Sequence, residues 1–349
     1  PPGGRRQRPG KAGSAAAARN GRRTSDPVTT GLFFTQLLNG LQLGVLLFLL
    51  SAGLTLVFGI MNVVNLAHGS LYMMGAYFAA AGFNAFDGSF LAAALVAIPG
   101  TLLLGLLIER IVLANLYQRD HLDQVLATFG LILFFNEVVR FAWGPASVYM
   151  NVPAWLSGTV NLFGLPYPAY RFAIIAVGLG VGVALYALIN RTRVGMLIRA
   201  GASNPDMVSA LGVNIRGLNT LVFGLGAALA GLAGLMAGPI VSVQSGMGEP
   251  VLILTLVVIV TGGIGSIRGA FYGALIVGIV DTVGRAFLPT LLRELFDRSV
   301  AWLERQLAVP HQGPTVVITH FAPSRGSIAT RFVGSPLNAC FVSDLQAQI

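Results

Sequence analysis

RTRVGMLIRAGASNPDMVSALGVNIR, residues 191–216, is a polar island between apolar runs. It carries Arg191, Arg193, Arg199, Arg216 and a single acid, Asp206, while the flanking segments carry almost no charge. In a membrane protein a short loop this basic is expected on the cytoplasmic side. Ser203-Asn204-Pro205-Asp206 reads as a helix start: a capping oxygen, a proline at or near the first turn and an early acid. The pattern predicts a short amphipathic helix offering Met207, Val208, Leu211 and Val213 to a partner. That is the build of a docking surface, although periodicity alone does not separate it from an ordinary basic loop.

Composition sets the class around this island. The 349 residues are 55% hydrophobic and 10% charged, with a mean hydropathy of +0.76, whereas soluble chains average about 25% charged residues. The 44 glycines suit membrane helices, whose backbones approach through small residues. The expected fold is an all-α polytopic membrane protein of about eight transmembrane or re-entrant helices, followed by a short non-membrane C-terminal segment. The net charge of +9 comes mainly from residues 1–31, where seven basic residues and one acid supply +6. Those residues read as a disordered basic tail, so the high pI argues for a tail and not for nucleic acid. The single cysteine, Cys340, excludes an intramolecular disulfide framework and a cysteine-rich metal site.

A crossing helix needs ~20 apolar residues, which places spans near 33–60, 66–86, 89–113, 125–143, 169–190, 218–242, 250–264 and 269–289. The second opens on Asn65-Leu-Ala-His68-Gly69 and reads as broken or re-entrant. Gly262–Gly269 separates the seventh from the eighth, and the uncharged, proline-rich loop 144–168 suits the external face. Orientation raises a conflict. Five spans before an internal 191–216 put the N-terminus outside, whereas its basic tail favours the inside; either an early segment only dips into the membrane or the tail is foreign to the core. A composition shift marks a boundary near residue 300.

Small residues at Ala230, Gly234 and Gly238, and at Gly178 and Gly182, allow close helix packing. Glu137 with Arg140, and Asp281 with Arg285, have spacings that let each pair meet on one helix face and neutralise itself. His68 is either a hydrogen-bonding group at a helix end or a gate residue, and no acid stands out as unpaired at mid-membrane. No phosphate loop is present and no catalytic or metal constellation is complete, so no enzymatic activity and no bound cofactor are expected.

Gln36–Gly40, Gly53–Gly59, Asn65–Gly69, Met74–Tyr77, Gly195–Ala200, Leu211–Asn214, Ala227–Gly234 and Gly262–Gly269 together resemble the branched-chain amino-acid ABC transporter permease family, over about residues 32–300. The resemblance implies an importer permease that works with a second related permease, two cytoplasmic ATPases that use ATP, and an external substrate-binding protein, in the bacterial inner membrane. Urea and short-amide permeases look similar, while an ATP-independent transporter and a membrane-tethered phosphoesterase are readings from other classes. By the resemblance, the ATPase-coupling segment is the loop 195–214, in which Gly195, Arg199, Pro205, Asp206, Leu211 and Gly212 lie, with Asn65 and His68 as candidate pathway or gate residues. Residues 301–349 resemble a fragment of a calcineurin-like metallophosphoesterase. His320 matches a metal-ligand position there, but Phe321 replaces a common second histidine and the other ligand motifs are missing, so no activity is expected. The basic tail has no place in the permease pattern, nor does the change at residue 300 from the family's final span to this fragment.

Overall fold

The computed structural model describes residues 27–307 apart from 62, 64, 118 and 163. Its helices are α1 (Pro27–Met61), α2 (His68–Ala85), α3 (Phe90–Ile111), α4 (His121–Trp143), α5 (Ala169–Arg191), α6 (Arg193–Ser203), α7 (Pro205–Ala210), α8 (Ile215–Ala237), α9 (Gly248–Gly262) and α10 (Ile267–Leu307). One hairpin, β1 (Thr159–Leu162) with β2 (Leu165–Pro168), lies in the long loop before α5. The chain divides into two compact units after Gly284. Helix α10 runs through residue 300 to Leu307, and the rest of the 301–349 segment, with His320, lies outside the described residues, as does the tail before Pro27.

Among the described residues six helices are long and apolar enough to cross a bilayer: α1, α3, α4, α5, α8 and the first part of α10. They account for six of the eight segments predicted from sequence; the other two are α2 and α9. Helix α9 has 15 residues, ~22 Å of rise against a hydrocarbon core of ~30 Å. Helix α8 is the centre of the first unit, packed on α1, α2 and α3. Its small residues permit this: Gly226 faces the backbone of Gly53 on α1, and Gly234 faces the backbone of Tyr72 and Ala76 on α2. By contrast α3, α4, α5 and the first part of α10 keep much of their apolar surface exposed, as a lipid-facing shell does.

Two faces follow from the contacts. On one, α6 packs Ile198 against Leu56 of α1, Ile189 of α5 and Leu218 of α8, and Glu109 of α3 bonds Thr220 of α8. Arg110, Arg119, Arg191, Arg193, Arg199, Arg216 and Arg268 belong to the segments at this end, the distribution that the positive-inside rule associates with an inner face; the two ends are called inner and outer on that basis. On the other, Tyr167 and Arg171 both bond Asn39 of α1, and Tyr170 bonds the main chain at Met236. Helix α1 therefore runs from the outer face inward.

Helix α2 starts in the interior, not at a face. Its His68 is fully buried and bonds the carbonyl of Leu50, in the body of α1. Its other end reaches the outer face, where Ser89 caps α3. Helix α9 does the converse. It starts beside Gly69 of α2 and descends to the inner face, where Gly265 in the turn that follows it meets Gly59. Thus α1–α2–α3 and α8–α9–α10 run in inverted order, each with a middle helix whose N-terminus lies inside the protein. The re-entrant alternative does not resolve the orientation conflict, because α2, though it begins in the interior, finishes on the outer face.

Candidate functional site

The 191–216 stretch folds as three capped pieces. Thr192 Oγ1 accepts from Gly195 N–H at 3.1 Å and starts α6; Asn204 Oδ1 accepts from Met207 N–H at 2.9 Å and starts α7, with Pro205 in its first turn; Asn214 Oδ1 accepts from Gly217 N–H at 3.0 Å and starts α8. Each cap satisfies a backbone donor that a helix start leaves free. Helix α7 closes with Gly212 at φ +88°, whose N–H bonds Ser209 O while Val213 N–H bonds Val208 O, a paired closure that needs a left-handed residue.

These pieces sort the predicted residues. Pro205, Asp206, Met207, Leu211 and Gly212 are exposed, with Leu211 at 76% and Met207 at 59%. Met196 on α6 joins them at 54%. Val208, expected to face a partner, is instead buried at 7%, because a six-residue helix has only one face to turn inward. Gly195 is also buried: a Cβ there would strike the carbonyl oxygens of Leu188 and Ile189. Its role is to let α6 lie against the end of α5. Arg199 donates to the carbonyl of Ile189, placing a cation at the C-terminal end of α5 where free carbonyls and the helix dipole favour it.

A second tie holds the start of α8. Glu109 is 2% exposed; its Oε1 accepts from Tyr117 Oη at 2.5 Å and its Oε2 from Thr220 Oγ1 at 2.9 Å. Burial, and then the bond to this carboxylate, push the Tyr117 phenol well above its ordinary range, so it stays a donor. A cavity of about 550 Å³ beside it is lined by Arg110, Asn115 and Arg216 among others.

The interior junction is the other site. Asn65 is 1% exposed, and its Oδ1 accepts from Ala67 N–H at 3.1 Å. His68 Nε2 lies 3.2 Å from Leu50 O; since a carbonyl only accepts, Nε2 carries the proton and Nδ1 of the neutral ring is an acceptor. Helices α2 and α9 touch here: a Cβ on Gly69 would sit 2.6 Å from Gly248 O, and one on Gly248 would collide with Gly69 O. Next to Gly248, Glu249 Oε1 accepts from Asn136 Nδ2 at 2.6 Å, while Asn136 Oδ1 accepts from Gly246 N–H at 3.1 Å. Glu249 is an acid inside the protein that sequence reasoning passed over. It sits between the predicted spans 218–242 and 250–264, and its partner is on α4, far away in the chain; the signal available was an acid opening an apolar run.

Elsewhere, Glu137 and Arg140 form an ion pair at 3.1 Å with both side chains mostly exposed, as their spacing predicts. Asp281 and Arg285 share α10. Among the described residues no cluster of three His, Cys, Asp or Glu side chains could hold a metal ion.

Residues 36–304 match the family described as branched-chain amino acid transport system / permease component. The chain is 30% identical over 281 residues to the high-affinity branched-chain amino acid transport system permease protein LivH of Salmonella typhimurium, covering 75% of this chain and 89% of that one. It is 31% identical over 266 residues to the corresponding BraD of Pseudomonas aeruginosa, covering 72% and 86%. A solved inward-facing metal-chelate type ABC transporter aligns at 20% identity with a TM-score of 0.42, over 75% of this chain and 81% of that one.

Proposed function

The chain belongs to the branched-chain amino acid transport system permease family, and from that premise we propose that it forms the translocation pathway of an ABC importer for branched-chain or other hydrophobic amino acids. The multi-pass chain resides in the bacterial inner membrane. It pairs with a second related permease, takes its energy from two cytoplasmic ATPases that couple through the 195–214 loop, and receives substrate from an external binding protein. ATP is consumed by the partners.

The observation that carries this reading is the construction of the 191–216 segment. Its exposed apolar tip, Met207 and Leu211, is borne on capped helices keyed into α5 by Gly195 and Arg199 and into α1 and α8 by Ile198. A push on the tip is passed through close packing to helices that run the depth of the protein, since packed interiors transmit displacement. Asn65 and His68, where α2 begins beside α1, are the pathway or gate residues.

The test is uptake by proteoliposomes holding the assembled complex, with binding protein outside and ATP inside. Branched-chain amino acid uptake that requires ATP hydrolysis is the expected result. Uptake of urea or a short amide in its place, or uptake without ATP, refutes the reading.

A further inference from the structure

Buried polar atoms in proteins nearly always have hydrogen-bond partners, and those without one call for an explanation. Among the described residues five such side-chain atoms lack one: Thr55 Oγ1, Asn65 Nδ2, His68 Nδ1, Asn219 Oδ1 and Glu249 Oε2. Three of the five belong to the two short segments that meet at Gly69 and Gly248. The junction is also deep. A Cβ on Gly53 would lie 3.0 Å from His68 Nε2 and equally close to Gly226, the midpoint of the 23-residue α8.

The chemistry of the free atoms is complementary to one class of molecule. Asn65 has committed its oxygen, so its Nδ2 offers protons. His68 has committed its proton, so its Nδ1 offers a lone pair. Glu249 has one oxygen engaged by Asn136 and one free. That second oxygen is buried and has no hydrogen-bond partner among the described residues. The N-termini of α2 and α9 add positive potential at the same place. Apolar surface adjoins it: Leu252, buried with Leu54, Ile132 and Ile259, has its Cβ 3.1 Å from where a Gly69 Cβ would be.

We propose that this junction is a transit site for a zwitterionic, aliphatic α-amino acid. Asn65 Nδ2 and the two helix N-termini receive the carboxylate; His68 Nδ1 and Glu249 Oε2 receive the ammonium; the Leu252 surface receives the side chain. The inference rests on the importer reading and deepens it, because a neutral urea or amide has no ammonium group to offer Glu249 Oε2. In the closed contact of Gly69 with Gly248 the site is shut, and parting α2 from α9 exposes both sets of groups together.

The test is amino acid uptake by proteoliposomes of the full complex. Wild-type uptake of leucine, isoleucine and valine is read first, and its absence overturns the importer reading and this site with it. Given wild-type uptake, Glu249→Gln, which keeps the oxygen that accepts from Asn136, should lower the rate at least tenfold at unchanged complex yield. Glu249→Asp should recover most of it, and Glu137→Gln should match wild type. If Glu249→Gln lowers complex yield, Asn65→Asp decides: it preserves the acceptor for Ala67 N–H but sets a second carboxylate against the substrate's own, and should abolish uptake. Uptake within twofold of wild type in Glu249→Gln, or in Asn65→Asp where that variant decides, overturns the transit site and leaves the importer reading standing.

Discussion

Arg199 reaches back from α6 to donate to the main-chain oxygen of Ile189 in the last turns of α5. The basic 191–216 stretch is thereby fastened to a membrane-crossing helix by a charge-assisted bond. Arg199→Ala should lower the detergent-solubilised permease's stability by about 1–2 kcal/mol, the range for a hydrogen bond to a charged group after solvent discount, and should reduce ATPase stimulation by loaded binding protein. Arg199→Lys should recover part of both, since a donor remains. Thermal unfolding and ATPase assays on the three proteins check this.

Gly195→Ala probes the same joint by bulk. Its Cβ would meet two carbonyl oxygens of α5, and backbone cannot step aside as a flexible side chain can. A loss of about 1–3 kcal/mol follows from overpacking, with a lower unfolding midpoint and lower complex yield. Gly212→Ala should cost about 1 kcal/mol for forcing a left-handed residue at φ +88°, felt mainly as weaker partner binding, because the turn it closes carries Leu211.

Met207→Ser and Leu211→Ser should separate binding from stability. Both side chains are exposed, so each change should move stability by less than about 0.5 kcal/mol. As anchors in a partner's pocket they should each cost more than about 1 kcal/mol of association. Co-purification of the ATPase subunits with each variant, compared with thermal unfolding of the isolated permease, reads the two effects separately.

These results bear on what the chain shows before folding. The long spans were legible because ~20 apolar residues admit few structures in a bilayer, and the start of α7 was legible because Asn204-Pro205-Asp206 acts locally. The roles of Gly195 and Arg199 were not, since both depend on where the end of α5 lies. Glu249 was missed for a related reason: its meaning comes from Asn136 on α4 and from Gly69 on α2, contacts that no local pattern encodes. The hairpin at 159–168 was likewise read as loop, its two strands being four residues each.

Tyr117→Phe and Thr220→Val should show whether the Glu109 tie holds α8 in place. Each leaves one oxygen of a buried carboxylate without its donor, at a cost of about 1–3 kcal/mol. The double variant should lose less than the sum of the single losses if the two donors act through one carboxylate. A double-mutant cycle by chemical unfolding measures the coupling.

The central claim is that the 191–216 segment is where the ATPase meets this chain. A photoreactive side chain at Leu211, in the assembled complex, tests it most directly, with the same group at Tyr149 as the control; Tyr149 is 76% exposed in the loop on the opposite face. The account predicts a covalent adduct between position 211 and an ATPase subunit, and none from position 149. An ATPase adduct from position 149, or none from position 211 in a complex that hydrolyses ATP, would contradict it.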